Sequence, residues 1–355
     1  MGKAKRLAVG MMLLLALASC QVNVSAPERT GDHGLAEVRG LVLKYAIIDT
    51  SYEIYQTQIQ KSESLSRMAY MNAGEDIYGH YKWMATTYEN MEPEMKAYLK
   101  QIFDEVHAWQ LLNTTTALDD DATLEIIVAS IRTRLRRTNI VEAADRFFPY
   151  FYESHFKDYL LENKPVFSEK AERLNHQIRQ NNPDILTFME EQSGILFERD
   201  YQPLFYYTLR YIGAMGFNYN GVKVSTIQRN VNDYSKIMLT PFHEYSHELF
   251  QTFTRQKRFE EIADKMKEVS SFKKMWESGY HYSYDWVGWC EENLVEGFSK
   301  YLAFKYYDYG EHYGNYAYDG EFYRYLVDSQ FDPKTNTLEN ISIEFYEKVY
   351  ERDSD

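Results

Sequence analysis

Pro241-Phe242-His243-Glu244-Tyr245-Ser246-His247-Glu248-Leu249-Phe250 carries the reading of this 355-residue chain. Within it His243, Glu244 and His247 form an H-E-x-x-H pattern. On a helix, positions i and i+4 lie one turn apart on the same face. His243 and His247 can therefore offer two imidazole nitrogens to one ion, at about 2.0–2.1 Å each for zinc. Glu244 projects beside them, within reach of a proton on a metal-bound water. An amphipathic helix with two hydrogen-bonded histidines would show the same spacing, so the flanking residues matter. Residues 235–239 read as a short strand ending in apolar residues. Thr240 is the expected N-cap and Pro241 the first helical residue. Phe242, Ser246, Leu249, Phe250 and Phe253 supply a packing stripe beside the histidine face. The expectation is a buried helix following a strand.

Two histidines are too few for a catalytic zinc site, where a third protein ligand and a water complete the shell. Downstream, Glu291-Glu292-Asn293-Leu294-Val295-Glu296-Gly297-Phe298-Ser299-Lys300-Tyr301-Leu302 has helical periodicity, with Leu294, Phe298, Tyr301 and Leu302 at core-type positions. Glu292 and Glu296 are spaced i,i+4, an unfavourable pairing of like charges on an isolated helix. A nearby divalent cation relieves that repulsion; a solvated acidic face is the plainer alternative.

With these two segments together the chain resembles the gluzincin metallopeptidases, zinc proteases that use two His and one Glu ligand. Leu294-Val295-Glu296-Gly297-Phe298 is similar to the glutamate helix of aminopeptidase N-type enzymes, where a Glu-Gly-Phe segment carries the third ligand. That resemblance implies His243, His247 and Glu296 as metal ligands and Glu244 as general base. Thermolysin-type enzymes offer a second alignment, in which Glu292 is the ligand and Glu296 supports a metal histidine from behind. The Gly-Phe pair favours the first alignment, with Glu296 as the expected ligand. Gly213-Ala214-Met215-Gly216 resembles the start of the Gly-x-Met-Glu-Asn edge-strand motif of the aminopeptidases. Gly216 stands where their substrate-gripping glutamate would be. The resemblance spans about residues 200–310.

At the N-terminus, Lys3, Lys5 and Arg6 precede an apolar run over residues 7–18, too short to span a membrane and suited to a secretory signal. Leu17-Ala18-Ser19-Cys20 then resembles a bacterial lipoprotein cleavage site, which implies lipidation at Cys20. Such a protein would sit in the cell envelope, and Gln21 directs it to the outer membrane under Gram-negative sorting. The only other cysteine, Cys290, is then unpaired and reads as a buried apolar thiol.

Net charge is −14, from 39 basic and 53 acidic residues, with no basic stripe, which argues against nucleic acid as a partner. Residues 21–34 read as a tether. Residues 35–193 are patterned as helix almost throughout. His80, His107, His155 and His176 are scattered there and read as surface or core histidines. Residues 204–211, 222–227 and 236–239 are rich in β-branched and aromatic residues, with a turn at 218–221 between the first two. Residues 258–275 read as one helix. The expected fold is α+β, mostly α. A helical N-terminal half precedes a gluzincin-like domain with a small, mostly antiparallel sheet and zinc-binding helices. The expected organisation is signal peptide 1–20, tether 21–34, helical domain 35–195 and metallopeptidase-like domain 196–355.

The implied activity is zinc-dependent hydrolysis of a peptide or protein substrate, with one Zn2+ per chain. The alternative is a catalytically silent lipoprotein that binds peptide or glycan on a tyrosine-rich face, which would leave Glu244 without a purpose. A metal hydrolase acting on cell-wall amides is a third reading. An oxyanion donor is expected from His281, His312 or one of the tyrosines around the glutamate helix, of which there are 32 in the whole chain.

Overall fold

In the computed structural model the described residues are 33–354, apart from 136–137, 214, 220–221 and 310–313. The expected signal peptide, Cys20, His312 and all but the last two residues of the tether therefore lie outside the described residues. Those last two are packed: Gly34 donates its N–H to the Tyr201 carbonyl at 2.9 Å, and His33 Nε2 lies 3.2 Å from Glu190. Gly31 to Asp355 form one compact unit.

The described chain is mostly helical with one four-stranded mixed sheet. Strand β1 (Glu37–Arg39) pairs parallel with β2 (Leu204–Tyr207), and β2 pairs parallel with β4 (Val222–Ile227). β3 (Gly216–Tyr219) pairs antiparallel with β4, giving the order β1-β2-β4-β3. The expectation of a mostly antiparallel sheet is thus corrected: two of the three pairings are parallel. Parallel neighbours need long crossovers, and the helical half of the chain is the crossover between β1 and β2. Because β1 comes from the N-terminal half, the sheet joins the segments expected on either side of residue 195.

The two edges of the sheet differ. At β1 the Asn175 side chain imitates a neighbouring strand, accepting from the Val38 N–H at 2.8 Å and donating to its carbonyl at 2.7 Å. At β3 the outer side meets the helix Ala108–Thr115, where the Trp109 indole Nε1–H donates to the Gly216 carbonyl at 2.8 Å.

Two further expectations are corrected around the histidines. Residues 235–239 are helical rather than extended. Asp233 caps a short helix, Tyr234–Ile237, by accepting from the Ser235 N–H at 3.0 Å. The chain then stays helical through Met238 into Leu239–Glu244, so Pro241 lies in a first turn that Thr240 does not cap. Ile237 and Met238 are buried, but a short apolar run reads equally as strand or buried helix. The expected helix over 258–275 is two, Lys257–Lys265 and Ser270–Glu277, separated by a 3-10 turn.

The helix Trp286–Tyr307, the glutamate helix, begins at Asp285, whose carboxylate accepts from the Gly288 N–H at 2.6 Å. It is buried on nearly every face, the pattern of a helix running through a core. Gly297 lets the next helix, Asp319–Asp328, approach closely: a Cβ there would meet the Asp319 carbonyl at 2.7 Å and the Phe322 side chain at 3.0 Å. Buried Glu291, Glu292 and Lys300 are carried in this apolar setting, and ionisable groups so placed need partners. Cys290 is fully buried, as expected, and burial pushes its thiol well up.

Candidate metal centre

The H-E-x-x-H segment spans the helices Leu239–Glu244 and Ser246–Thr254, which meet at Tyr245. There the Glu248 N–H turns to the Tyr245 carbonyl at 3.1 Å. This tightened turn leaves the Glu244 carbonyl to Lys223, whose Nζ donates to it at 2.8 Å from strand β4. Lys223 also lies 3.2 Å from Glu248. The turn that carries the histidines is therefore pinned to the sheet.

His243 and His247 lie on one face, ring centroids 5.2 Å apart and nearly perpendicular. Each ring is oriented from behind by a carboxylate of the glutamate helix. His243 Nδ1 is 2.8 Å from Glu296 Oε2, and His247 Nδ1 is 2.9 Å from Glu291 Oε1. With both Nδ1 atoms turned to carboxylates of the glutamate helix, both Nε2 atoms point at the same group. His243 Nε2 is 3.5 Å from Glu292 Oε1 and His247 Nε2 is 3.5 Å from Glu292 Oε2.

Among the described residues, His243, His247 and Glu292 form the group that can hold a metal ion, with ligand atoms within 4.8 Å of one another. The donor set fits zinc. Ligand atoms about 2.0–2.1 Å from a tetrahedral ion sit about 3.3–3.4 Å apart, close to the two 3.5 Å separations here. This group contains Glu292, the second alignment's ligand, and not Glu296, the ligand of the leading expectation. Glu296 reaches the back of His243, whereas Glu292 faces both Nε2 atoms. Residues i and i+4 share a helical face but differ by a full turn in height, and the turn level with the imidazole tips is that of Glu292.

The charges follow from this packing. Burial opposes a proton on His243, but the Glu296 hydrogen bond and the nearby Glu292 and Glu244 outweigh it, raising His243 to about 9. Burial likewise opposes charge on Glu296, yet His243 and Lys300 hold it at about 2. Glu291 is also held below the usual carboxylate range: burial is outweighed by bonds from His247, Thr254 and Gln251.

A further layer fixes Glu296. Lys300 Nζ lies 3.1 Å from its Oε1, and Asn315 Nδ2 donates to the same oxygen at 2.5 Å. Lys300 also pairs with buried Asp319, which accepts from the N–H groups of Asn315 at 2.7 Å and Tyr316 at 3.0 Å. That loop delivers Tyr316, whose hydroxyl donates to Glu292 Oε1 at 2.8 Å. The Tyr316 ring is packed edge-on against Trp289 and Tyr280. Burial and the Glu292 charge push its hydroxyl, and that of neighbouring Tyr284, well above the usual range. His281, by contrast, is exposed.

Glu244 and Gly216 meet from opposite sides: a Cβ on Gly216 would overlap the Glu244 carboxyl group. The absence of a side chain at 216, noted from the sequence as a departure from a motif, is what admits Glu244 beside the edge strand.

The structure thus brings His243, Glu244, His247, Glu292 and Glu296 together. Sequence reasoning gave no role to Glu291, Lys300, Asp319 or Trp109. The first three carried a signal, since charged residues in or beside a helix rich in apolar residues require buried partners; Trp109 carried none. The scattered histidines stay outside the group. His80 is buried against Glu53 at 2.9 Å and Tyr159 at 2.8 Å, and His107 caps the helix Ala108–Thr115.

Comparison with known proteins gives no match: no protein-family model, curated protein or solved structure resembles this chain significantly. Among the described residues, no helix is long and apolar enough to cross a membrane.

Proposed function

We propose that the protein is a zinc-dependent peptide hydrolase of gluzincin type, with His243, His247 and Glu292 as ligands and Glu244 as general base. The observation that carries this reading is the convergence of two imidazole Nε2 atoms on one buried carboxylate, each imidazole braced at Nδ1 by a second carboxylate. Bracing of this kind fixes ring tautomer and orientation in metal sites. Two imidazoles and a carboxylate suit zinc better than metals preferring all-oxygen or thiolate shells.

Bound zinc would supply Lewis acidity, polarising a scissile carbonyl and acidifying a water. The chain's own residues do the rest. Glu244 takes the proton from the attacking water and returns it to the leaving amine. Lys223 holds the main chain of Glu244, and Gly216 leaves its carboxylate room to turn between the two partners. Tyr316, whose hydroxyl donates to Glu292 Oε1 at 2.8 Å, would be a donor for the oxyanion of the tetrahedral intermediate. The β3 edge beside Glu244 offers main-chain groups to an extended peptide. The resemblance at Leu17-Ala18-Ser19-Cys20 supports a lipid anchor at Cys20 in the bacterial envelope, and loss of lipid labelling in Cys20→Ser would establish it.

The test is metal content of the chain from residue 21 onward, beside His247→Ala, Glu292→Ala and Glu244→Gln, followed by a peptide-library digest. One zinc per chain, lost in the first two variants and kept in Glu244→Gln without turnover, is the expected result. No zinc uptake by the unaltered protein would sink the proposal. Zinc without cleavage of any peptide would leave the binding lipoprotein as the better reading.

A further inference from the structure

The two edges of the sheet are closed to different degrees, and the difference falls at the candidate site. In the antiparallel β3–β4 pair, Gly216 stands opposite Ser225 and the Thr226 N–H donates to the Met215 carbonyl at 2.9 Å. Hydrogen-bonded and non-hydrogen-bonded pairs alternate along such a ladder. Phe217 therefore spends its main-chain groups on β4, while Gly216 and Asn218 turn theirs outward. Asn218 is exposed, and among the described residues none bonds its outward N–H and C=O. At Gly216 the outward carbonyl is already taken by the Trp109 indole. Trp109 is anchored from its own helix, where its main-chain N–H donates to His107 Nδ1 at 3.2 Å, and yet it is 44% exposed.

Gly216 is also the residue against which the Glu244 carboxylate rests. Outward-facing groups recur every second residue, about 6.8 Å apart. The edge is thus open on the Asn218 side of Glu244 and closed by an indole at the level of Glu244 itself. A peptide strand laid along β3 pairs with Asn218 and meets Trp109 within about one dipeptide repeat of the reacting bond.

Building on the peptidase reading, we propose that Trp109 is a specificity-determining residue that limits how many substrate residues extend on one side of the scissile bond. The substrate class is then peptides cut close to one end, or short peptides, rather than the interior of long unfolded chains.

The experiment is a length series on the zinc-loaded protein: one cleaved core sequence, extended a residue at a time on either side, with kcat/KM and cleavage position read by mass spectrometry. The expected result is tolerance on one side and a drop of at least tenfold beyond about two residues on the other. Trp109→Ala removes that drop, read as the ratio of kcat/KM between the extended peptide and the shortest one in the same variant. Trp109→Phe, which keeps a ring but frees the Gly216 carbonyl, gives an intermediate drop. Thermal midpoints of both variants within a few degrees of the parent separate altered length preference from a damaged fold. Equal tolerance on both sides in the parent, or an undiminished drop in Trp109→Ala, overturns the inference while leaving the peptidase reading intact. Absence of hydrolysis of every peptide overturns the peptidase reading and this inference with it.

Discussion

The Cα of Gly216 lies directly against the carboxyl group of Glu244, so closely that a methyl group on residue 216 would overlap it. A catalytic base must sit within hydrogen-bond reach of the proton it moves, and in the proposed peptidase the place of Glu244 is defined by what the edge strand lacks. Gly216→Ala is expected to displace the Glu244 side chain. Displacements of about 1 Å at a reacting group cost about 100-fold in rate. The variant should keep its zinc and lose about that much in kcat/KM, measured beside zinc stoichiometry. Activity within a few-fold of the parent would show that the carboxylate works from another position.

The roles proposed for Glu292 as ligand and Glu296 as support separate in metal affinity. Glu292→Ala removes the group that faces both Nε2 atoms and is expected to abolish stoichiometric zinc binding. Glu296→Gln leaves an acceptor for the His243 Nδ1–H but removes the charge, and losses of that kind weaken metal binding about 10–100-fold. Glu291→Gln should behave alike through His247. Competition against a chelator of known affinity checks the order. Zinc retained in Glu292→Ala and lost in Glu296→Gln would restore Glu296 as the ligand.

Tyr316 donates its hydroxyl into the candidate ion-binding group, to Glu292 Oε1 at 2.8 Å. Removing one oxyanion donor costs about 10²–10³ in kcat. Tyr316→Phe should therefore lower kcat on that scale with KM and zinc content nearly unchanged. A kcat within about threefold of the parent would pass the role to Tyr284.

Far from the site, His80 and Glu53 form a buried pair that sets a pH dependence of stability. Burial lowers His80 below its ordinary 6.5, outweighing the pull of Glu53. The unfolded chain therefore binds a proton at pH values where the folded His80 does not, and stability falls as pH drops below about 6.5. Burial opposes the Glu53 charge, but bonds from His80, Tyr70 and the Tyr211 N–H, with Arg210 nearby, hold it below 4.5. Its contribution is present above that value and is lost on further acidification. The slope attributable to His80 is at most about 1.4 kcal/mol per pH unit. Urea unfolding between pH 7 and pH 5 should show it, and His80→Gln should flatten the curve in that window. An unchanged slope in the variant would assign the acid sensitivity elsewhere.

Local patterns were legible where one segment suffices to define them. The 3.6-residue periodicity of residues 35–193 is helix among the described residues from Leu43 to Ser193, with strand β1 before it, and strands β2 and β4 fall where β-branched and aromatic residues cluster. Strand β3 (Gly216–Tyr219) was not expected, because four residues are too short to announce a strand, and residues 220–221 of the expected turn lie outside the described residues. The stretch 235–239 misled because Ile237, Met238 and Leu239 form an apolar run without a period, and Asp233, two residues upstream, had already started the helix.

The sequence by itself determined the chemistry on offer: two imidazoles one turn apart, a carboxylate between them, and a helix carrying glutamates at i and i+4. Spacing along one helix is fixed by its geometry, so that much needs no tertiary information. Only the tertiary structure decided which glutamate faces the imidazole tips. Glu292 and Glu296 point the same way and differ by one helical turn in height, and the height at which two helices cross is set by packing. Here Gly297 lets Asp319–Asp328 press close to the glutamate helix, and Lys300 pairs with both Asp319 and Glu296, the carboxylate behind His243. The same holds for Trp109 and Gly216, 107 residues apart in sequence, whose contact exists only because a parallel crossover returns the chain to the sheet edge beside Glu244.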